Sequence, residues 1–237
     1  MSVFAGPEID NNGLVLALDA TNSKSYPGSG NTWFDLSPNK LTPATTGLTY
    51  TNTYSGSMNM TLGNELLTVV PSASLGQTFE TGDFSIETVV RSTNGVYPRS
   101  RHPIYVNDTV TSASVKGWSA GHGATATQIE LRVCDGINLA NKFLSHTVQE
   151  STVYHRVFTI SRASGVLTKY YVNGALIDDF NAPSVTGTIY SGNNLVFGNV
   201  WGWRYIGDIF SIRVYDRVLT AAEIKQSFNA TRARYNI

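Results

Sequence analysis

Apolar and polar residues alternate with a period of two over much of this chain. Phe84, Ile86, Thr88 and Val90 fall on one side of an extended segment, with Ser85, Glu87 and Arg91 on the other. Ile129, Leu131 and Val133 alternate with Gln128, Glu130 and Arg132. Tyr154, Phe158 and Ile160 stand opposite Val153, His155 and Val157. Ile206, Phe210, Ile212 and Val214 stand opposite Gly207, Ser211, Arg213 and Tyr215. Side chains two apart share one face of a strand, so each run is expected to bury one face and wet the other. About a dozen segments read this way. Asn173-Gly174, between two such runs, is the dipeptide a type I′ hairpin turn needs, because both central residues take positive φ. Pro27-Gly28-Ser29-Gly30 and Ser191-Gly192-Asn193-Asn194 mark further loops.

The pattern runs through all 237 residues without a linker or a shift in composition, so one domain is expected. The hydrophobic share of 41% fills a core, while charged residues make up only 14%. Ser, Thr, Asn and Gly supply the rest of the polar surface, which suits strands and turns. The expected fold is all-β: a two-sheet antiparallel β-sandwich with a short C-terminal helix. That helix begins at Thr220-Ala221-Ala222-Glu223, a capping box. Ala221, Ile224, Phe228 and Tyr235 then follow on one side. Its expected task is to close the open end of the sandwich. We divide the chain into an N-terminal arm (1–12), the domain with the start of the helix (13–229) and a C-terminal tail (230–237).

Lys plus Arg and Asp plus Glu both number 17, so the formal net charge is zero. A nucleic-acid partner needs a basic field and is not expected; nor is a membrane anchor. Zero charge removes long-range repulsion between copies and is compatible with self-association. Cys134 is the only cysteine, so no intrachain disulfide forms, and a plain strand residue is expected there. Residues 1–8 lack the basic and apolar regions of a signal peptide.

Several segments, in order, resemble the LamG-like jelly-roll branch of the concanavalin A-like lectin/glucanase superfamily. They are Gly13-Leu14-Val15-Leu16-Ala17-Leu18-Asp19-Ala20, Trp33-Phe34-Asp35-Leu36-Ser37, Thr81-Gly82-Asp83-Phe84-Ser85-Ile86-Glu87, Tyr154-His155-Arg156-Val157, Tyr171-Val172-Asn173-Gly174 and the stretch from Asp208 to Thr220. The resemblance implies a jelly roll of two large sheets, one concave. The ends of the chain also resemble stand-alone LamG-like proteins of tailed phages, marine and cyanobacterial ones in particular. That second resemblance implies a virion location, with synthesis in the host cytoplasm.

Catalytic chemistry is hard to place. Glycosidases of this superfamily use paired carboxylates. Glu8-Ile9-Asp10 is followed by Gly13 where such a motif needs a third acid; Glu65, Glu87 and Glu130 stand alone, and the adjacent Asp178 and Asp179 point to opposite faces of a strand. His102, His122, His146 and His155 show no zinc spacing. For calcium, Asp19, Asp135 and Asp208 are the conceivable ligands, but no dense acidic loop accompanies them. Asp19 and Asp208 are expected to cap turns or brace strands, and no cofactor is expected, calcium being possible but not favoured. Aromatic residues are the binding candidates. Trp201 and Trp203 lie two apart and share a face if extended, followed by Arg204 and Tyr205; Trp118 and His122 complete the set.

Three functions compete. The first is a non-enzymatic virion component, a capsid decoration or tail-associated protein docking on other virion proteins in repeated copies or as a homo-oligomer. The second is a lectin-like module that binds cell-surface glycans through the concave sheet or its rim loops. The third is a polysaccharide hydrolase. Terminal segments that reach into a neighbour favour the first over the second.

Overall fold

The computed structural model describes residues 9–61, 65–70, 73–93, 99–100, 104–106, 114–121, 128–162, 168–181, 185–198 and 204–237. Among them the strands are β1 Leu14–Asp19, β2 Ala44–Thr46, β3 Thr49–Thr51, β4 Ser57–Met60, β5 Leu66–Val69, β6 Phe84–Ser92, β7 Arg99–Ser100, β8 Ile104–Val106, β9 Lys116–Ala120, β10 Gln128–Asp135, β11 Leu139–Ser145, β12 Val153–Ile160, β13 Thr168–Val172, β14 Ala175–Phe180, β15 Leu195–Gly198, β16 Arg204–Tyr205 and β17 Gly207–Tyr215. The helices are α1 Ala73–Thr78 and α2 Ala221–Tyr235.

Two sheets carry the fold. The first runs β14-β13-β12-β6-β17-β4-β3, with β1 also paired to β17; the second runs β11-β10-β9-β8-β15-β5-β2. Every pairing within these two sheets is antiparallel. A short parallel pair, β16 with β7, lies outside them. Between the sheets sits one apolar core that includes Trp33, Phe84, Ile86, Trp118, Leu131, Phe158, Phe197 and Ile212. This is the all-β sandwich that alternation predicts. The hairpin at Asn173-Gly174 is also present, with φ of 51° and 75°, joining β13 to β14.

One expectation fails in an informative way. The first sheet does not wet its outer face: every residue of β12 and β17 is buried, and every residue of β6 except Arg91. The cause is α2. It packs across the outside of this sheet rather than closing an end of the sandwich, and it turns Ile224, Ser227, Phe228, Thr231 and Tyr235 inward. The capping box at Thr220 and Glu223 forms, while Ala221 is exposed. The helix also outruns the boundary set at residue 229. Residues 230–235 continue it, Tyr235 is fully buried, and Arg234 Nη1 donates to Asp19 Oδ2 at 2.9 Å. The segment read as a tail therefore folds back on its own domain.

A second departure concerns Phe210. It does not share a face with Ile212 and Val214. A bulge lies between Ile209, opposite Val90, and Ser211, opposite Val89. The extra residue shifts the phase by one. Ile209 enters the core, and Phe210 joins Val89, Val153 and Tyr235 beneath the helix.

Under α2 the first sheet holds buried charges. Glu87 Oε1 accepts from Arg213 Nη1 and, at 2.6 Å, from Ser227 Oγ on the helix; His155 Nε2 stands 3.2 Å away. Burial pushes the Glu87 carboxyl upward, but Arg213, His155 and Ser227 outweigh it and hold the group down at about 2. This cluster fastens the helix to the sheet and leaves no route for a substrate.

Candidate functional site

The second sheet is built differently. Half-buried and buried residues interleave along β5, Ser119 of β9 and Gln128 and Arg132 of β10 are half-buried, and Glu130 and Cys134 on the same side of β10 are buried. Leu67 and Val69, Trp118 and Ala120, and Ile129, Leu131 and Val133 enter the core. Their neighbours face out. Among the described residues no helix packs on this face, and we call it the open face.

Backbone register lines up one residue from each strand in a row that crosses the whole sheet, with Ala44, Thr68, Val196, Ser119, Arg132 and Asn141 exposed or half-buried. Ala44 pairs with Thr68, Thr68 with Val196, Val196 with Tyr105, Tyr105 with Ser119, Ser119 with Arg132 and Arg132 with Asn141. A second row brings Thr46, Leu66 and Gly198 together on one side and Glu130 and Phe143 on the other. Gly198 cannot be replaced: at φ 113° a Cβ would stand 2.4 Å from the Glu65 carbonyl oxygen. The face carries hydroxyls, an amide, small apolar groups and one ion pair, Arg132 Nη2 to Glu130 Oε1 at 2.8 Å. Hydroxyls and amides both donate and accept, and Arg132 offers a planar fork of donors. Such a surface suits a neutral polar ligand with many hydroxyls.

The residues singled out from sequence fall into two groups. Trp118 and Tyr205 are fully buried. Trp118 sits on the core phase of β9 against Phe79 and Phe84, at ring distances of 5.7 and 5.3 Å. Tyr205 donates its hydroxyl to the Asp208 carbonyl at 3.0 Å, and burial drives its pKa upward. Both are corrected to core residues, since a side chain without exposed surface meets no ligand. Trp201, Trp203 and His122 lie outside the described residues. Arg204 pairs through its backbone with Arg99. The anchors of the outlying segments are nonetheless informative. Gly198, which ends β15, and Gly121, which follows β9, lie at the same end of the second sheet, because Phe197 and Ala120 both pair with Ile104. The last described residues before Trp201, Trp203 and His122 thus lie at one end of the sheet.

Sequence reasoning missed Thr68, Ser119, Arg132, Asn141 and Val196 as surface candidates. Their strand phase was readable; which of the two sheets a helix would cover was not.

Acids weighed as metal ligands or catalysts are engaged elsewhere. Asp19 accepts from Thr21 and Arg234. Asp135 accepts from the backbone N–H groups of Ile137, Asn138 and Gly187, which hold it at about 2 against the upward push of burial. Asp208 accepts from Ser57, Asn59 and, in bidentate fashion, Arg91. These are the turn caps and strand braces expected of Asp19 and Asp208. Glu65 accepts from the Thr61 N–H at 3.0 Å. No group of three or more His, Cys, Asp or Glu that can hold a metal stands among the described residues. Nor is any helix there long and apolar enough to cross a membrane.

Comparison with known proteins agrees with this architecture. The Laminin_G_3 model, described as concanavalin A-like lectin/glucanases superfamily, matches residues 67–225. No curated protein matches the sequence. Among solved structures, the binding domain of Paraclostridial Mosquitocidal Protein 1 is similar at TM-score 0.71 and 16% identity, over 92% of this chain and 52% of that one. The binding domain of botulinum neurotoxin DC, solved in complex with rat synaptotagmin II, matches equally at 0.71, 16%, 92% and 52%. Domain 4 of AbnA, a GH43 extracellular arabinanase from Geobacillus stearothermophilus in complex with arabinotriose, matches at 0.68 and 13%, over 93% of this chain and 100% of that one. The chain thus spans about half the length of the toxin domains and the whole of the arabinanase domain. At these identities the likeness is one of fold.

Proposed function

Since the chain belongs to the concanavalin A-like lectin/glucanase superfamily, we propose that it is a non-enzymatic, lectin-like module whose open sheet face binds an uncharged glycan. The observation that carries this reading is the asymmetry of the two sheets: the central strands β6, β12 and β17 of one are buried on both sides, while the other presents a row with Thr68, Ser119, Arg132 and Asn141 at least partly exposed. Arg132, Ser119, Thr68 and Asn141 supply hydrogen bonds. Trp201 and Trp203 supply indole faces for stacking on sugar rings, with Arg204 and His122 as further candidates. Binding proceeds without a metal ion, because the acids suited to one already accept protein donors. The described terminal residues also support a free module. Asp10 pairs with Arg217, and α2 packs on its own sheet.

A glycan array followed by calorimetry on the full chain tests this. Binding of neutral oligosaccharides is expected, weakened about tenfold or more by Arg132→Ala and by Trp201→Ala or Trp203→Ala. Chelator should leave it unchanged. Absence of binding to any neutral glycan at millimolar concentration overturns the reading.

A second reading is a virion structural protein, capsid-decorating or tail-associated, present in repeated copies and docked on other virion proteins. Exposed Phe143 on β11 and exposed Leu176 and Ile177 on β14 favour a protein contact. These are neighbouring edge strands of the two sheets, and Ser145 N donates to Asp178 at 3.2 Å between them. Zero net charge supports the same reading. A chain that stays monomeric and is missing from purified particles rules it out.

A further inference from the structure

On the helix-covered side of the molecule, opposite the open face, lies a cleft of about 300 Å³. It is lined by Tyr54, by Ser151, Thr152 and Val153 at the start of β12, by Asn173 of the hairpin turn and by Asn236 at the end of α2, among others. Its volume is at the small end for ligand sites, which run from about 300 to 1,000 Å³.

Its backbone is unusual. Six non-glycine residues among those described have positive φ, and four of them line this cleft: Tyr54 (52°), Ser151 (59°), Asn173 (51°) and Asn236 (56°). Asn173 and Asn236 have structural reasons, a type I′ turn and a helix cap. Tyr54 lies at the kink of a 3-10 turn, Thr53–Ser55, and Ser151 in the turn before β12. A bulky residue in the left-handed region costs about 1–2 kcal/mol and persists where its surroundings hold it there. For Ser151 the restraint is its N–H, which donates to the Ser92 carbonyl at 2.7 Å. For Tyr54 it is the Arg91 guanidinium 4.9 Å over the ring and the edge-on ring of Phe210 at 6.0 Å. Arg91 is itself clamped by Asp208. A tyrosine ring with 37% of its surface exposed is thus held rigidly at the mouth of a small cleft.

The lining has a definite chemistry. Its described side chains carry no charge, so a charged ligand would lose hydration without a counter-charge. Ser151 and Thr152 bring hydroxyls that donate or accept. Asn173 Oδ1 accepts from the His155 N–H at 3.0 Å, which leaves its Nδ2 to donate. One fixed aromatic ring beside hydroxyls and amides matches a molecule with a C–H face and a rim of hydroxyl groups.

We infer that this cleft is a second binding site, for one neutral sugar unit. It goes beyond the proposed use of the open face and does not depend on it, since the two lie on opposite sides of the sandwich.

Amide-detected NMR titration of the full chain with methyl glycosides of glucose, galactose, mannose and arabinose tests it. Saturating shifts are expected at Tyr54, Ser151, Thr152, Val153, Asn173 and Asn236. Tyr54→Ala should weaken binding about tenfold, and Thr152→Val by a similar factor. Thr152 is exposed, so its variant keeps the test valid if loss of the Tyr54 ring unfolds the chain. Shifts that persist in Arg132→Ala, while array binding is lost, separate this cleft from the open face. No saturating shift at these amides with any glycoside, or shifts that Thr152→Val leaves unweakened, overturns it.

Discussion

Glu87 shows how little a residue's neighbours in sequence say about its task. Alternation places it on the face of β6 expected to be wet, and Arg91, the one cation within ten residues, binds Asp208 instead. Its partners come from β12, β17 and α2, at separations of 68, 126 and 140 residues. Removing its charge leaves Arg213 buried without a counter-ion. Glu87→Gln is expected to destabilise the fold by about 3–5 kcal/mol, measured by chemical denaturation. A loss below about 1 kcal/mol, the level of an exposed pair, would show that the cluster does not fasten the helix. At this scale the sequence was legible for Asp35 and for the Asn173-Gly174 turn. Asp35, inside the Trp33–Ser37 motif, latches the N–H groups of Ala17, Ser37 and Leu41. Local hydrogen bonding fixes such residues, whereas long-range pairing fixes Glu87.

Strands and the final helix were legible because period and capping are local signals. What each element packs against was not. The phase of β17 was lost at its bulge, since one inserted residue leaves no compositional mark. The inward face of α2 was read correctly at Ile224, Phe228 and Tyr235, but Ser227 and Thr231 are also buried and Ala221 is exposed. Thr231 satisfies its hydroxyl on the Ser227 carbonyl at 2.9 Å, and Ser227 on Glu87. Small hydroxyl residues thus serve as an inward stripe that a search for apolar spacing passes over. The helix start rests on Thr220, whose Oγ1 accepts from the Glu223 N–H at 3.2 Å. Thr220→Ala should cost about 1 kcal/mol. Thermal melts should show the same loss in Glu87→Gln background if cap and cluster act independently; a clear departure from additivity would mean that they do not.

For the whole molecule, the fold class could be read and the division of labour between its sheets could not, because covering one sheet is a decision of tertiary packing. Acid should undo the molecule in two stages. His146 is pushed down to about 4 by burial and by Arg156 from an ordinary 6.5. A depressed imidazole contributes stability fully above pH 6.5 and loses it as pH falls towards 4. Glu87 and Asp135, both held at about 2, contribute fully above their ordinary values near 4.5 and 3.8 and lose that contribution as pH falls towards 2. All three shifts act in the same direction. The melting temperature should be flat from pH 6.5 to about 9, decline gently from pH 6.5 to about pH 4 and then steeply below. A His146→Phe variant should lack the gentle limb; its persistence there would sink the assignment.

The row that runs from Ala44 to Asn141 also has a length. Six strand spacings of about 4.8 Å make it roughly 29 Å from end to end. A single ring can touch only one or two of its seven rungs. An extended polymer laid across the strands can touch them all, each contact adding to the last. If the open sheet binds glycans as proposed, it is a ruler as well as a surface: it rewards chain length and sorts ligands by how far they reach before it sorts them by what they are.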